Sequence, residues 1–451
     1  MTGTLVRSAA PTMPGLPGVG SAWDLQRRLL PTQERAMREL GDVVRFVAGP
    51  PGARLVVHSV FAPEGVQQVL TARTGYRKDN RFYAEVRAVF GDGLLTSQDD
   101  TWLRQKRLVQ PLFTRAALDG YGPVVTAEAA GLVERWRAAG EEVPDLHREA
   151  VALTLRVAGR VLFGAAHEEL LPLAGAALPR LAGSVYRRGF APVRAPRSWP
   201  TPANRRDARD LRRLHAALDG LIADRRWRPA TDGTDMLSLL TRPGGTVTDV
   251  EARDLLFVFL FAGHDTTATA LTFALQLLGC HPEAQDRAAG EVREVLAGRP
   301  PTTADLPRLA YLGRVVKEAL RLYPPAYATS RRLVDADVVG GHLIPAGADV
   351  AVYPWCTHRH PRLWDDPERF DPDRFTPERE AGRHRYAWFP FGGGPRACIG
   401  AQLATTEATL TLAAVLQAYR LDTRPGRVPV APRITLQPTV PVPCRLAAHR
   451  P

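Results

Sequence analysis

Cysteine is scarce in this sequence: Cys280, Cys356, Cys398 and Cys444 are the only four in 451 residues. They are too few and too widely spaced for a disulfide framework, and none forms a C-x-x-C metal pair, so a reducing, cytoplasmic setting is expected. The opening MTGTLVRSAAPTMPGLPGVG lacks the basic-then-apolar order of a secretory leader. Its Pro/Gly-rich composition predicts a loose arm over residues 1–20, followed by a single domain over 21–451. No internal repeat and no low-complexity segment beyond that arm is present. With 45% hydrophobic and 24% charged residues, the chain fits neither disorder nor a multi-span membrane protein.

Acidic residues are also outnumbered: the formal net charge is +12. The arginines are spread along the chain and no nucleic-acid motif accompanies them, so nucleic acid is not an expected partner. Arg-rich coding bias is the bland explanation. The sharper one is a basic face that docks an acidic protein, with association steered by charge.

What is present is mostly helical periodicity. GDVVRFVAGPPGARLVVHS, from Gly41, reads as a strand hairpin around a Gly-Pro-Pro-Gly turn. Helices are predicted over 102–113, 124–139, 205–226, 249–279, 282–296 and 309–322, with another through AQLATTEATLTLAAVLQAYRL. Short strands follow Arg331, and a Pro-rich loop tract runs from His358 to Pro390. The fold class predicted is mainly α, one large helical domain with small sheets near both ends.

The longest of these helices is unusual. Thr248 to Glu251 form a capping box and Gly279 with Pro282 a stop, giving roughly 30 residues, or about 45 Å. Its middle, LLFVFLFAGHDTTATALTFALQLLG, is apolar nearly all round yet carries His264, Asp265 and two threonines at its centre. With no second span and no aromatic belt, a buried helix through a globule is preferred to a membrane span. Ala262 and Gly263 would let something flat approach the backbone, and Thr266 and Thr267 can bond back to helix carbonyls. An acid beside an alcohol suits proton delivery; a satisfied polar patch is the structural alternative.

VVKEALRLYPP places Glu318 and Arg321 three apart on an apolar helix. The same spacing at Glu134/Arg137 and Glu380/Arg383 usually means a solvated surface pair. A buried pair would recruit a further charge, which FDPDRF offers as Arg374. Finally, FGGGPRACIG puts Cys398 after a glycine-rich turn and before a helix, where the macrodipole would favour thiolate. A structural cysteine, a nucleophile and a metal ligand all remain open there. A phosphate loop does not, because no Gly-Lys-Ser/Thr ending follows. A thiolate on haem iron explains the glycines, the helix and the arginine together.

These motifs together resemble the cytochrome P450 family. F-x-x-G-x-R-x-C-x-G is matched by Phe391, Gly394, Arg396, Cys398 and Gly400, A-G-x-D-T-T by Ala262 to Thr267, E-x-x-R by Glu318 and Arg321, and P-E-R-F by Pro372 to Phe375. The resemblance spans nearly the whole chain. It implies Cys398 as the proximal ligand of haem b, and Glu318, Arg321 and Arg374 as a cluster supporting the haem loop. It also implies Trp102, Arg332 and Arg396 on the propionates. Where the family often shows W-x-x-x-R, WLRQKR puts Lys106, with Arg107 next, so the two compete for a propionate. Asp265 and Thr266 would deliver the protons that O–O cleavage consumes. Electrons would come from a separate ferredoxin and its reductase, and the enzyme would act as a cytoplasmic monomer.

By the same resemblance, the substrate pocket would draw on Phe82, Tyr83 and Phe90 in the loop before Trp102, on Phe257 and Phe261, and on Ala326 to Thr329, Tyr327 among them. The stretch from Pro200 looks like that of bacterial terpenoid-oxidising members, which points to a hydrophobic terpenoid. Fatty acids, macrolides and steroids are the competing substrates. A P450-fold isomerase, dehydratase or peroxygenase and a non-enzymatic haem sensor are the competing functions.

Overall fold

The computed structural model describes residues 9–72, 74–164, 168–191, 194–230 and 233–449. The predicted hairpin is β1 (Val43–Ala48) paired antiparallel with β2 (Leu55–Val60), from Val43 opposite Val60 to Ala48 opposite Leu55. β3 (Tyr76–Arg77), β4 (Thr329–Leu333) and β5 (Asp349–Val352) complete a five-stranded sheet in the order β1-β2-β5-β4-β3. Only β2 and β5 run parallel; the other neighbours are antiparallel.

Residues 1–8 of the predicted arm lie outside the described residues, but the rest of it is not loose. Met13 is buried, and the Met13 and Arg45 backbones exchange hydrogen bonds with β1 and Pro11. The Pro/Gly content that suggested an arm instead shapes a turn, closed by a bridge between Leu16 and Gly20.

Helices make up the bulk of the chain. α1 (Arg81–Phe90) was expected as loop; Asn80 caps it by accepting from the Tyr83 N–H at 3.2 Å. α2 (Asp99–Val109) follows, then α3 (Arg115–Ala139), which starts earlier than predicted because Pro123 is accommodated within it. α4 (Leu146–Phe163) and α5 (Leu170–Phe190) had no counterpart in the sequence reading. α6 (Pro202–Trp227), α7 (Asp249–Cys280), α8 (Pro282–Leu296), α9 (Ala310–Leu322) and α10 (Ala401–Ala418) lie within a few residues of their predicted bounds. The last helix ends at Ala418, since Tyr419–Thr423, whose first three residues were predicted as helix, pairs as a strand with Cys444–Ala448.

α7 is the axis of the molecule. Its 18-residue stretch apolar enough to cross a membrane is 72% buried. The N-terminal half, from Ala252 to Phe261, packs with α1, α4, α5 and α6. The C-terminal half, from Ala268 to Leu278, packs with α8, α9 and α10. Ala262 to Thr267 fall between these two cores. The helix is continuous there, with the Thr266 hydroxyl bonded back to the Ala262 carbonyl at 2.6 Å and the Thr154 hydroxyl of α4 donating to the His264 carbonyl at 2.9 Å. A hairpin of β6 (Val430–Pro432) and β7 (Leu436–Pro438) brings its tip to the same level.

Candidate active site

The gap between the two cores is a cavity of about 390 Å³, bounded by α7 on one side and the glycine-rich turn on the other. Helical geometry selects most of what α7 shows it: Phe259, Ala262, Gly263, Thr266, Thr267 and Ala270 share one face, and Phe261 reaches it from the side. Asp265 does not line it. The Asp265 carboxylate accepts from the Thr435 hydroxyl and, at 3.0 Å, from the Gln437 amide, both on the hairpin. Thr435 does line the cavity, so the predicted acid stands one hydroxyl removed from it.

Opposite lies the turn from Phe391 to Gly400. Gly392 and Gly394 have φ of 70° and 63°, a region costly for other residues. A Cβ on Gly394 would sit 2.1 Å from the Leu70 carbonyl oxygen, and one on Gly393 2.3 Å from the Tyr386 ring. Gly394 therefore shapes the turn without lining the cavity, whereas Phe391, Gly400 and Cys398 line it. The Cys398 N–H donates to the Phe391 carbonyl at 2.9 Å, closing the loop that presents the sulfur.

Cys398 precedes α10 by three residues rather than capping it. The surface its side chain exposes is the wall of the cavity, deep in the molecule. Burial pushes the thiol up, and the Gly400 N–H and the Lys78 charge oppose this only in part. Burial thus opposes the expected thiolate, which iron bound to the sulfur would favour.

Three cations share the site. Arg331, Arg396 and Lys78 line the cavity; Arg331 and Arg396 lower the proton affinity of Lys78, and Arg331 that of Arg396. Burial brings Lys78 down to about 8 and Arg396 to about 10, with the neighbouring charges adding to the effect. Burial alone would raise the Tyr83 phenol, but Lys78 and Arg331 bring it below its usual range. Among the described residues none of the three cations has a carboxylate partner within ion-pair distance, and the Arg396 Nη1 has no hydrogen-bond partner at all. Such a cluster calls for an anion with more than one carboxylate. A flat macrocycle carrying carboxylates on one edge and a thiolate-seeking metal at its centre fits the cations, the glycine turn and Cys398 together.

Arg332 is a correction. It is exposed and faces Asp349 across the sheet, while its neighbour Arg331 is 4% exposed and points inward. Strand alternation puts Arg331 with buried Leu333, and Arg332 on the other side. Trp102 and Lys106 do not line the cavity either. The Arg396 guanidinium stacks 4.1 Å from the Trp102 ring, and the Lys106 ammonium sits 5.0 Å from the same ring and donates to the Pro395 carbonyl at 2.9 Å. They hold Arg396 in place, and Arg107 is exposed.

Glu318 and Arg321 are both fully buried and bidentate, at 2.6 and 2.8 Å. Burial pushes the Glu318 carboxyl up, against the pull of Arg321. Arg321 also donates to the carbonyls of His358, Pro367 and Arg369, and Arg374 lies 3.4 Å from Glu318. The pair therefore staples the Pro-rich tract that delivers the cysteine turn. The two look-alikes are ordinary: Glu134 and Arg137 pair in solvent, and Glu380 binds Lys317 instead of Arg383.

Of the expected pocket residues, Phe82, Tyr83, Phe261 and Ala326 line the cavity. Phe90, Phe257 and Tyr327 do not. Phe90 and Phe257 are core beside Phe261, with ring centroids 4.5 Å (Phe90–Phe261) and 5.1 Å (Phe90–Phe257) apart, and the buried Tyr327 donates to the Arg433 carbonyl at 2.6 Å. The sequence reading missed Val157, Ala158, Val161 and Leu162 of α4, as well as Phe113 and Ile434. It also missed Glu407 of α10, a buried cavity residue whose carboxyl burial pushes well above its usual range and whose Oε1 has no partner.

Fold and site together define a helical protein built to hold a metal macrocycle between a thiol and an apolar chamber. The cytochrome P450 family model matches residues 11–442. Cyclooctatin synthase of Streptomyces melanosporofaciens is 38% identical, over 91% of this chain and 90% of its own length. Pentalenene oxygenase of Streptomyces avermitilis is 37% identical, over 92% of each. The crystal structure of the cytochrome P450DA heme domain superposes with a TM-score of 0.87 at 28% identity, covering 99% of both chains. The chain belongs to the cytochrome P450 family. It is a haem-iron monooxygenase of that family.

Proposed function

We propose that the protein hydroxylates a cyclic terpenoid in the cytoplasm, using haem b held by Cys398 and electrons from a ferredoxin. The observation that carries the reading is the cavity itself: aliphatic and phenyl side chains from α1, α4 and α7 line it together with Cys398 and outnumber the polar ones. A hydrocarbon ligand gains about 25 cal/mol per Å² of apolar surface it buries there. Kinship to cyclooctatin synthase and pentalenene oxygenase supports a terpenoid over a fatty acid or macrolide.

When bound, the haem supplies oxygen activation, with thiolate donation favouring O–O cleavage. The chain's residues do the rest. Lys78, Arg331 and Arg396 would hold the propionates, and the Trp102 ring would fix the Arg396 plane. Gly263 leaves the α7 backbone open toward the macrocycle. The Thr266 hydroxyl, donating to the Ala262 carbonyl, keeps its lone pairs to accept a hydrogen bond in the cavity. The Thr435 hydroxyl donates to the Asp265 carboxylate; delivery to the cavity would run in the reverse sense, with a proton taken up on Asp265 passed to the Thr435 oxygen as that hydroxyl releases its own proton inward. Gln437, half-buried, orients the other carboxylate oxygen.

The test is spectroscopic and then chemical. The reduced wild-type protein is expected to give the red-shifted carbon monoxide band of thiolate-bound haem, and Cys398→Ala to lose it. A surviving band would refute Cys398 as ligand. Titration with sesquiterpene and diterpene hydrocarbons, against fatty acids, then reads substrate class from the Soret shift; a response to fatty acids alone would reject the terpenoid.

A further inference from the structure

A second cavity of about 100 Å³ adjoins the first, between the β1-β2 edge of the sheet and the pair α1 and α5. Phe82, Tyr83, Ala328, Thr329 and Ile434 line both spaces, so they form the partition. Phe82 is its aromatic panel, with ring centroids 5.6 Å from Phe190 and 5.8 Å from Tyr83. Its seat is made by an absence: a Cβ on Gly189 would lie 2.7 Å from the Phe82 ring.

One turn along α1 sits Glu85, only 6% exposed, whose carboxylate gathers three arginines from the end of α5 and the segment beyond it. Arg188 bonds it at 2.9 Å and Arg197 at 2.7 Å, and Arg194 takes the other oxygen. Arg188 also donates to the Ala195 carbonyl, and Arg81 of α1 to the Ala191 carbonyl. Burial alone would raise the Glu85 carboxyl, but the bonds from Arg188 and Arg197 hold it low, so it is charged. Arg81 and Arg194 repel. A single carboxylate therefore holds together a set of cations that would otherwise push apart, and through them it clamps α1 onto α5.

We propose that Glu85 is a positioning residue which, through this arginine hub, keeps Phe82 between the two cavities and so sets how fast, and how long, a ligand the site admits. Nothing in the oxidation requires the hub. The proposal rests on the larger cavity being the substrate chamber. Removing the Glu85 charge leaves unbalanced guanidiniums that drive the segment away from α1, which joins the two spaces into one longer chamber. The effect then has a sign a packing defect lacks: added salt screens the repulsion and re-seats the lid.

The probe is 4-phenylimidazole, which enters the chamber of the holoenzyme and shifts the Soret band. In stopped flow at low salt, Glu85→Gln is expected to bind it about tenfold faster than wild type, with salt restoring slow entry. Glu85→Asp should fall between the two. Hydrogen exchange should rise in residues 81–90 and 189–191 and nowhere in α9 or α10. Unchanged association and exchange in a variant that keeps the carbon monoxide band would overturn the proposal. If Glu85→Gln does not assemble, the Arg194→Ala/Arg197→Ala double variant, which loosens the clamp without leaving surplus cations, should bind the probe faster with no rescue by salt, and wild-type association and exchange in it are equally fatal. Loss of thiolate-type spectra in wild type itself would sink the Cys398 assignment, leaving the exchange measurement to decide the hub.

Discussion

Two adjacent arginines on β4 carry opposite fates. Arg331 is buried beside Lys78 and Arg396, with no carboxylate among the described residues to answer it, while Arg332 meets solvent and Asp349. A charged hydrogen bond lost from a buried site costs about 1.5–3 kcal/mol, so Arg331→Ala should weaken haem retention about 10- to 100-fold. Arg332→Ala should leave it within about twofold, on the exposed-pair scale. Transfer of haem to apomyoglobin measures both, and equal losses would put both arginines on the macrocycle. The alternation that separates them was readable, since Leu333 must face the core and Arg331 shares its side. Phe257 is a similar case: it lies nine residues before Thr266, half a turn round the helix, whereas Phe259 lies seven before, on the same face. Lys78 had no such signal. It stands alone between β3 and α1, and only the tertiary fold carries it to Arg331.

At the level of elements, the Thr248 cap made α7 legible, Pro282 at its first turn α8, and the apolar period with the Pro324-Pro325 stop α9, and the cysteine turn announced itself by its glycines. α4 and α5 escaped because their apolar faces are buried on several sides, which blurs the periodicity that sequence reading needs. The sheet holds a testable imbalance. Asp349 of β5 is raised to about 6 by burial, despite Arg332 opposite, with Asp79 adding to the rise, against 3.8 as its ordinary value. Between those two pH values the unfolded chain is ionised at this position while the folded one keeps its proton. Stability therefore falls as pH climbs from about 4 to about 6 and is level above. Asp349→Asn removes that penalty, so it should gain about 1 kcal/mol at pH 8 once the shift is discounted for partial exposure, and progressively less toward pH 4. Urea midpoints at pH 5 and pH 8 give the comparison. An equal gain at both pH values, or none at pH 8, would contradict a buried proton on Asp349.

Across the whole molecule the charge excess of +12 has a direction to act in. Several buried acids are answered by arginines, as Glu85, Asp210 and Glu318 show, although Arg180 beside Asp210 is itself half exposed. α2 leads from the surface to the cysteine turn. Its inner face holds Trp102 and Lys106 against Arg396 and Pro395, two and three positions before Cys398, while Arg107 on the same helix is exposed. An acidic ferredoxin drawn to Arg107 would thus stop one helix away from the cysteine turn. Screening at physiological salt acts over about 8 Å, short enough to cut steering between two whole proteins. The second-order rate of reduction by an acidic ferredoxin should fall about tenfold from low to high salt. Arg107→Glu should lower the low-salt rate and flatten the salt dependence, with the carbon monoxide band unchanged. A rate indifferent to salt, or an Arg107→Glu protein reduced as fast as wild type, would place electron entry on some other face.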